Sequence, residues 1–257
     1  MTASHHEQIL EQFTRQAVPF ATAPSIKDEA ALRLLVEWSG AGPEDTALDV
    51  ACGPGLVVCA FARTVRHATG IDLTPAMLER ARAHAAAQGL ANVTWRQGDV
   101  LPLPFADGAF TIVTSRFAFH HFLDPLAVLR EMRRACVPGG TVLVADSAPA
   151  PDKADAFNRM EVVRDPSHVR ALPLAEHVDL FRRAGLGEPR VTHYGLEGEL
   201  EGLISRSFPE PGGADRLRAI FRDSLADDAL GIQARLDGAQ IRYAYPVAVL
   251  AARRAAA

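Results

Sequence analysis

The stretch Leu48-Asp49-Val50-Ala51-Cys52-Gly53-Pro54-Gly55 decides the fold. An apolar run, Thr46–Ala51, reads as a strand, and Leu56–Arg63 reads as a helix, so two glycines stand at the turn between them. Gly53 and Gly55 allow a sharp turn and let backbone approach a ligand without an intervening side chain. A tight strand–helix turn could use them without any ligand. Asp49, at the strand end, adds a hydrogen-bond acceptor aimed into the same crevice.

Outward from this point, short apolar runs alternate with longer helical ones. Ala68–Asp72, Asn92–Gln97, Ala109–Ser115 and Thr141–Asp146 read as further strands. Thr74 and Pro75 open a helix carrying Met77, Leu78, Ala81 and Ala85, closed by Gly89. Asp124-Pro125 opens another, through Leu126, Leu129 and Met132, which stops at Pro138-Gly139-Gly140. Leu174–Ala184 is a third. Strands apolar on both faces imply a mostly parallel α/β sheet between helical layers. Such sheets bind ligands beyond the carboxyl ends of their strands, at the switch point beside the first strand. Before this core the first forty residues read as helices, with Ser25 and Asp28 resembling a capping box and His5-His6 a disordered tail.

The chain of 257 residues fits one large domain with an embellishment. Its 27 basic and 31 acidic residues give a net charge of −4, without a basic draw toward nucleic acid or anionic lipid. No apolar run approaches the roughly 18 residues of a membrane span. Cys52, Cys59 and Cys136 lack metal-ligand spacing and suggest a reducing, cytoplasmic setting.

Asp72, ending the second strand, is placed to accept from both ribose hydroxyls of a nucleoside, although a capping or surface role would suit an isolated acid. A dinucleotide fingerprint needs a third glycine where this chain has Val58, which disfavours a diphosphate ligand. In combination, LDVACGPG, GID, QGDVLPLPFADGAFTIVTS and the helix ending in VPGG resemble the class I S-adenosylmethionine-dependent methyltransferases. The nearest branch is the type 11 group, related to ubiquinone/menaquinone-biosynthesis C-methyltransferases. The resemblance is strong from Ala47 to Asp146 and loose from Asp165 to Gly185.

The resemblance implies a Rossmann-like, seven-stranded, mostly parallel sheet with an antiparallel last strand. It implies S-adenosylmethionine as cofactor, S-adenosylhomocysteine as product and a small-molecule acceptor. Asp49, Ala51 and Gly53 would line the methionine end, Gly55 would also be cofactor-binding, and Asp72 would take the ribose. Leu73 and Met77 would flank adenine, Asp99 in Gly98-Asp99-Val100 would accept from its amino group, and the Ser115 backbone would meet the cofactor's amino group. Ala51 replaces a glycine of the family loop, tolerable if its φ stays negative.

The segment after strand four, Ser115-Arg116-Phe117-Ala118-Phe119-His120-His121-Phe122, would face the transferring methyl. The Asn/Asp-Pro-Pro-aromatic motif of base-amine and glutamine methyltransferases is absent. His120 and His121 are candidate proton acceptors, or else shape the wall. Arg116, Phe119 and His168 are candidate acceptor contacts, with a capping turn the alternative for His168. Phe13 and Phe20 would close as a lid or pack on the sheet edge. Cys52 has no cationic neighbour in the sequence to make it a nucleophile.

Glu188–Tyr194 reads as strand six and Tyr245–Ala252 as the last. About fifty residues separate them, far more than a hairpin needs. Helices near Ala214–Leu225 and Asp228–Leu236 would roof the acceptor pocket or form a homodimer contact. Arg206, Arg216, Arg218 and Arg222 would read an acidic substrate or lie on a solvated face. The organisation expected is a helical cap (1–45), a cofactor core (46–194), an insertion (195–238) and a last strand with tail (239–257). Other readings are a non-methylating enzyme with the same cofactor, an RNA-modifying methyltransferase, a non-catalytic binding module and an NAD-dependent oxidoreductase. Val58 and a missing Tyr-x-x-x-Lys relay oppose the last of these.

Overall fold

The computed structural model describes residues 4–256. Five parallel strands, β1 (Thr46–Val50), β2 (His67–Asp72), β3 (Val93–Gln97), β4 (Phe110–Arg116) and β5 (Cys136–Ser147), lie in the order β3-β2-β1-β4-β5. β6 (Arg190–Glu199) continues the sheet only through β8 (Gln240–Arg253), which runs antiparallel to both β5 and β6. A short β7 (Arg235–Asp237) pairs with the start of β8, so among the described residues the sheet has eight strands, one more than expected.

Alternation along the strands divides the core. Ala47, Ile112, Leu143 and Val249 face α2 (Glu29–Ser39), α3 (Leu56–Ala62) and α4 (Pro75–Ala87), against Leu35, Phe61 and Leu78. Leu48, Val50, Val113 and Val144 face α5 (Pro125–Ala135) and α7 (Leu174–Arg183), against Leu129, Met132 and Phe181. A third apolar cluster joins α6 (Ala154–Arg164), α8 (Leu200–Ser207) and α9 (Gly213–Asp223) to the projecting parts of β6 and β8. Phe157, Leu203, Leu217, Phe221 and Tyr243 lie at its centre.

Several elements differ from expectation. His5 and His6 belong to α1 (His5–Thr22), opened by a capping box in which Ser4 and Glu7 satisfy each other's backbone N–H. The second helix is capped by Asp28 itself, whose Oδ1 accepts from Ala30 and Ala31, and Ser25 has no part in it. The segment expected as a helix at Asp228–Leu236 is instead a turn leading into β7. Asp228 Oδ1 accepts from the N–H groups of Ile232 and Gln233 and holds the chain in that turn. β5 begins at Cys136, so α5 stops before the glycines. β6 and β8 extend well past the expected spans because they pair with each other from Arg190↔Ala251 to Glu199↔Arg242. Among the described residues, no helix is long and apolar enough to cross a membrane.

Candidate active site

A cavity of about 380 Å³ opens at the carboxyl ends of β1, β2, β3 and β4, beneath α1. Its floor is the loop from Ala51 to Pro54; Ala51 has φ 57°, Gly53 51° and Gly55, which follows, 78°. The condition set for Ala51 therefore fails: it sits in the left-handed region, which a Cβ disfavours. Gly55 is required on two counts, since a Cβ there would also lie 2.5 Å from the Trp95 ring. Gly53 donates its N–H to Asp72 Oδ2 at 2.7 Å, and Thr74 donates to Oδ1 at 2.8 Å. Asp72 thus braces the loop and the start of α4 together. Burial raises its pKa, and the two backbone donors pull it back.

Asp49 is 3% exposed, and its Oδ1 has no partner. Burial lifts its pKa well above the carboxylate range, opposed by the charge of Arg116. Asp99 turns Oδ1 onto the N–H groups of Val100 and Leu101 and Oδ2 toward His6 Nε2, 3.0 Å away. Leu73 and Met77 line the same end. Phe13, Phe20, Arg116 and His121 line the same cavity. The ring of Phe13 meets His121 edge-on at 5.0 Å, and His5 Nε2–H donates to the His121 carbonyl at 2.7 Å. Sequence reasoning missed His5 and His6 as cavity residues; the Ser-x-x-Glu spacing at 4–7 was the signal that a helix begins there.

Other expected residues stand outside this wall. Ser115 is wholly buried within β4 and gives its hydroxyl to the Val50 carbonyl. Gly98 and Gly55 support the loops without lining the cavity. Phe119 points into the core, and its N–H donates to Asp146 Oδ2. His168 gives Nε2 to Asn158 Oδ1 at 2.7 Å, away from the cavity, with its pKa lowered by burial to about 4. No residue of 195–238 lines the cavity; α8 and α9 spend their apolar faces on the third cluster, and α1 covers the mouth. Arg218 is held between Glu201 and Asp215 on the insertion's outer face.

The two adjacent histidines differ. His120 lies behind the wall, with Nδ1 2.6 Å from Asp146 Oδ1. Burial pushes its pKa down, but the Asp146 charge and hydrogen bond outweigh that and leave it raised. His121 lines the cavity and is driven well below the ordinary range by burial and by His120 beside it, so it is neutral at pH 7. Its Nδ1 lies 3.0 Å from the Ser167 carbonyl, which can only accept, so the ring proton is on Nδ1 and Nε2 keeps its lone pair. Ser167 is fixed in turn by its hydroxyl on Asp165 Oδ1 at 2.6 Å, and Gln16 of α1 reaches Asp165 Oδ2. Cys52 is no nucleophile: burial and the nearby Asp72 and Asp49 raise its thiol pKa well above the usual value. Among the described residues, no group of three or more His, Cys, Asp or Glu could hold a metal ion.

Comparison with known proteins identifies the family and the fold. Residues 48–144 match a family model described as a methyltransferase domain. The uncharacterized methyltransferase YcgJ of Bacillus subtilis is 32% identical over 213 residues, 81% of this chain and 82% of that protein. Its crystal structure superposes with a TM-score of 0.78 at 27% identity, over 89% of this chain and 99% of that one. The ubiquinone/menaquinone biosynthesis C-methyltransferase UbiE of Bdellovibrio bacteriovorus is 38% identical over 114 residues, 44% of this chain and 48% of that protein. The [4+2]-cyclase SpnF has the same fold at 20% identity and a TM-score of 0.64, covering 89% of this chain and 81% of its own. The protein is a member of the class I methyltransferase family.

Proposed function

We propose that the protein transfers a methyl group from S-adenosylmethionine to a small-molecule acceptor bound in the cavity, leaving S-adenosylhomocysteine. The observation that carries this reading is the row of carboxylates, Asp49, Asp72 and Asp99, lining one cavity around the left-handed loop. A diphosphate would meet carboxyl acceptors there where it needs donors. The Gly53 N–H that would meet a phosphate is already engaged by Asp72, and the third-glycine position is Val58, buried in the core. The residues suit a cationic amino acid joined to a nucleoside. Asp49 Oδ1 is a buried acceptor without a donor and would meet the ammonium group. Asp72 would hold the ribose hydroxyls through its remaining lone pairs, Asp99 the adenine amino group, and Leu73 and Met77 the adenine faces.

The bound cofactor supplies an electrophilic methyl on a sulfonium. The chain supplies position: in-line attack needs the acceptor atom held about 3–3.5 Å from that carbon. Phe13 and Phe20 shield the acceptor end from water. His121 Nε2 keeps a lone pair that orients an N–H or O–H acceptor by accepting its hydrogen bond, while Nδ1–H on Ser167 fixes the ring; burial and His120 leave the imidazole too weakly basic to hold the proton itself, which passes to solvent. His120 acts as a positioning residue, because Asp146 ties both its ring and the Phe119 N–H to β5.

Calorimetric titration with S-adenosylhomocysteine and with NAD, together with labelled-methyl transfer into a metabolite extract, tests the reading. Heat with the former, none with the latter and labelled product are expected. Binding of the dinucleotide without the homocysteine compound overturns it.

A further inference from the structure

Arg116 is a buried cation with one donor group unspent. It is 8% exposed and lines the cavity. Its Nε donates to the Tyr194 hydroxyl at 3.2 Å and its Nη1 to the Ile26 carbonyl at 3.0 Å, while the Phe117 ring lies 4.4 Å from the guanidinium carbon. Nη2 is buried and has no partner. An arginine side chain stays charged in proteins, and an enclosed donor on it without an acceptor is strongly unfavourable unless a ligand completes it. Asp49 does not complete it, for its own Oδ1 is also without a partner.

Resting on the methyl-donor reading, we infer that Arg116 Nη2 is the receptor for a carboxylate that enters the cavity with a ligand. The chemistry is narrow. Two of the guanidinium nitrogens are spent on Tyr194 and Ile26, so one nitrogen remains, enough for a carboxylate oxygen and poor for the several oxygens of a phosphate. The carboxyl oxygens of Asp49 and Asp72 line the same cavity and offer a phosphate acceptors where it needs donors. Phe20, Phe117, Ile26 and Leu56 make the adjoining wall apolar, so the charge is read at one point beside a hydrophobic body. The carboxylate belongs either to the amino-acid end of the cofactor, with Asp49 and Arg116 taking opposite charges of one zwitterion, or to the methyl acceptor.

Titrations of the wild type, Arg116→Met and Arg116→Lys distinguish these sources. The ligands are S-adenosylhomocysteine and 5′-methylthioadenosine, which shares the nucleoside thioether and lacks the amino acid. If the carboxylate is the cofactor's, Arg116→Met weakens S-adenosylhomocysteine at least tenfold and 5′-methylthioadenosine less than twofold, with Arg116→Lys between. If it is the acceptor's, both affinities hold. Cinnamate, an aryl carboxylate, then raises the melting temperature of the wild type but not of Arg116→Met, and cinnamamide raises neither. The cinnamate arm is run with and without S-adenosylhomocysteine, so failure of that compound to bind removes the methyl-donor reading while Arg116 is still decided. Should Arg116→Met not fold, Arg116→Gln and Arg116→Lys serve in its place. Insensitivity of both the thioether comparison and the cinnamate shift to residue 116 overturns the inference.

Discussion

Replacing Asp72 with alanine should produce two losses that can be measured separately. The carboxylate accepts from Gly53 at 2.7 Å and from Thr74 at 2.8 Å, and Thr74 caps α4 without a side-chain hydrogen bond of its own. Each bond to a charged acceptor contributes about 1.5–3 kcal/mol. Burial disfavours the ionised form and offsets part of that, so a net stability loss of about 2–4 kcal/mol is expected. For a chain of this size that lowers the melting temperature by on the order of 10 °C. The affinity for S-adenosylhomocysteine should fall by a further ~1–3 kcal/mol, or about 5- to 150-fold, through the lost ribose contacts. Urea unfolding reads the first loss and calorimetry, well below the new midpoint, reads the second. Asp72→Asn keeps the shape and one acceptor and should fall between on both scales. If stability drops while affinity is unchanged, Asp72 is only a brace for the loop and the ribose assignment is refuted.

The other expectations follow from the same geometry. His121→Phe should lower turnover by about 2- to 10-fold, the worth of one orienting hydrogen bond, with little change in S-adenosylhomocysteine affinity; a full-speed variant would remove His121 from orienting the acceptor. His120→Leu should chiefly destabilise the fold, by about 3–5 kcal/mol in urea unfolding, because it strands the buried Asp146 charge. His168, held to a pKa of about 4, is neutral in the fold while the unfolded chain takes up a proton below its ordinary range. Stability should therefore be lost as pH falls from about 6.5 toward 4, by up to about 3 kcal/mol, and His168→Gln should flatten that slope in urea midpoints. Ala51→Gly should relieve the positive φ and raise stability by about 0.5–1 kcal/mol net of chain entropy, whereas Gly55→Ala should cost more than about 2 kcal/mol against Trp95; thermal scans check both.

What could be read from sequence was what local patterning controls. The alternation of Leu48 and Val50 with Ala47, and the acids at strand ends, reported the parallel core and its crevice. Asp49, Asp72 and Asp99 were legible because each lies within two residues of the carboxyl end of a strand. The acceptor end was harder, because it depends on contacts distant along the chain. His120 and His121 are neighbours in sequence, yet one pairs with Asp146 and the other with Ser167, 46 positions away. No local pattern tells them apart. His5 was discounted for its terminal position, although its partner is the His121 carbonyl, 116 positions away. The insertion was misread for a similar reason: Asp228–Leu236 has enough apolar residues for a helix, but Asp228 spends its side chain on a turn and Leu230 and Ile232 are consumed by the third cluster.

The position of β8 bears on how the chain is made. It follows both β5 and β6 in the chain, yet it lies between them, pairing with β5 from Thr141↔Arg253 to Ser147↔Val247. Until residues 240–253 have left the ribosome, β5 presents an open hydrogen-bonding edge and β6 has no strand to join. Unpaired edges of that kind recruit other chains. A nascent polypeptide arrested before Gln240 would carry a nearly complete crevice beside a sticky border, the stage at which a chaperone would be needed most.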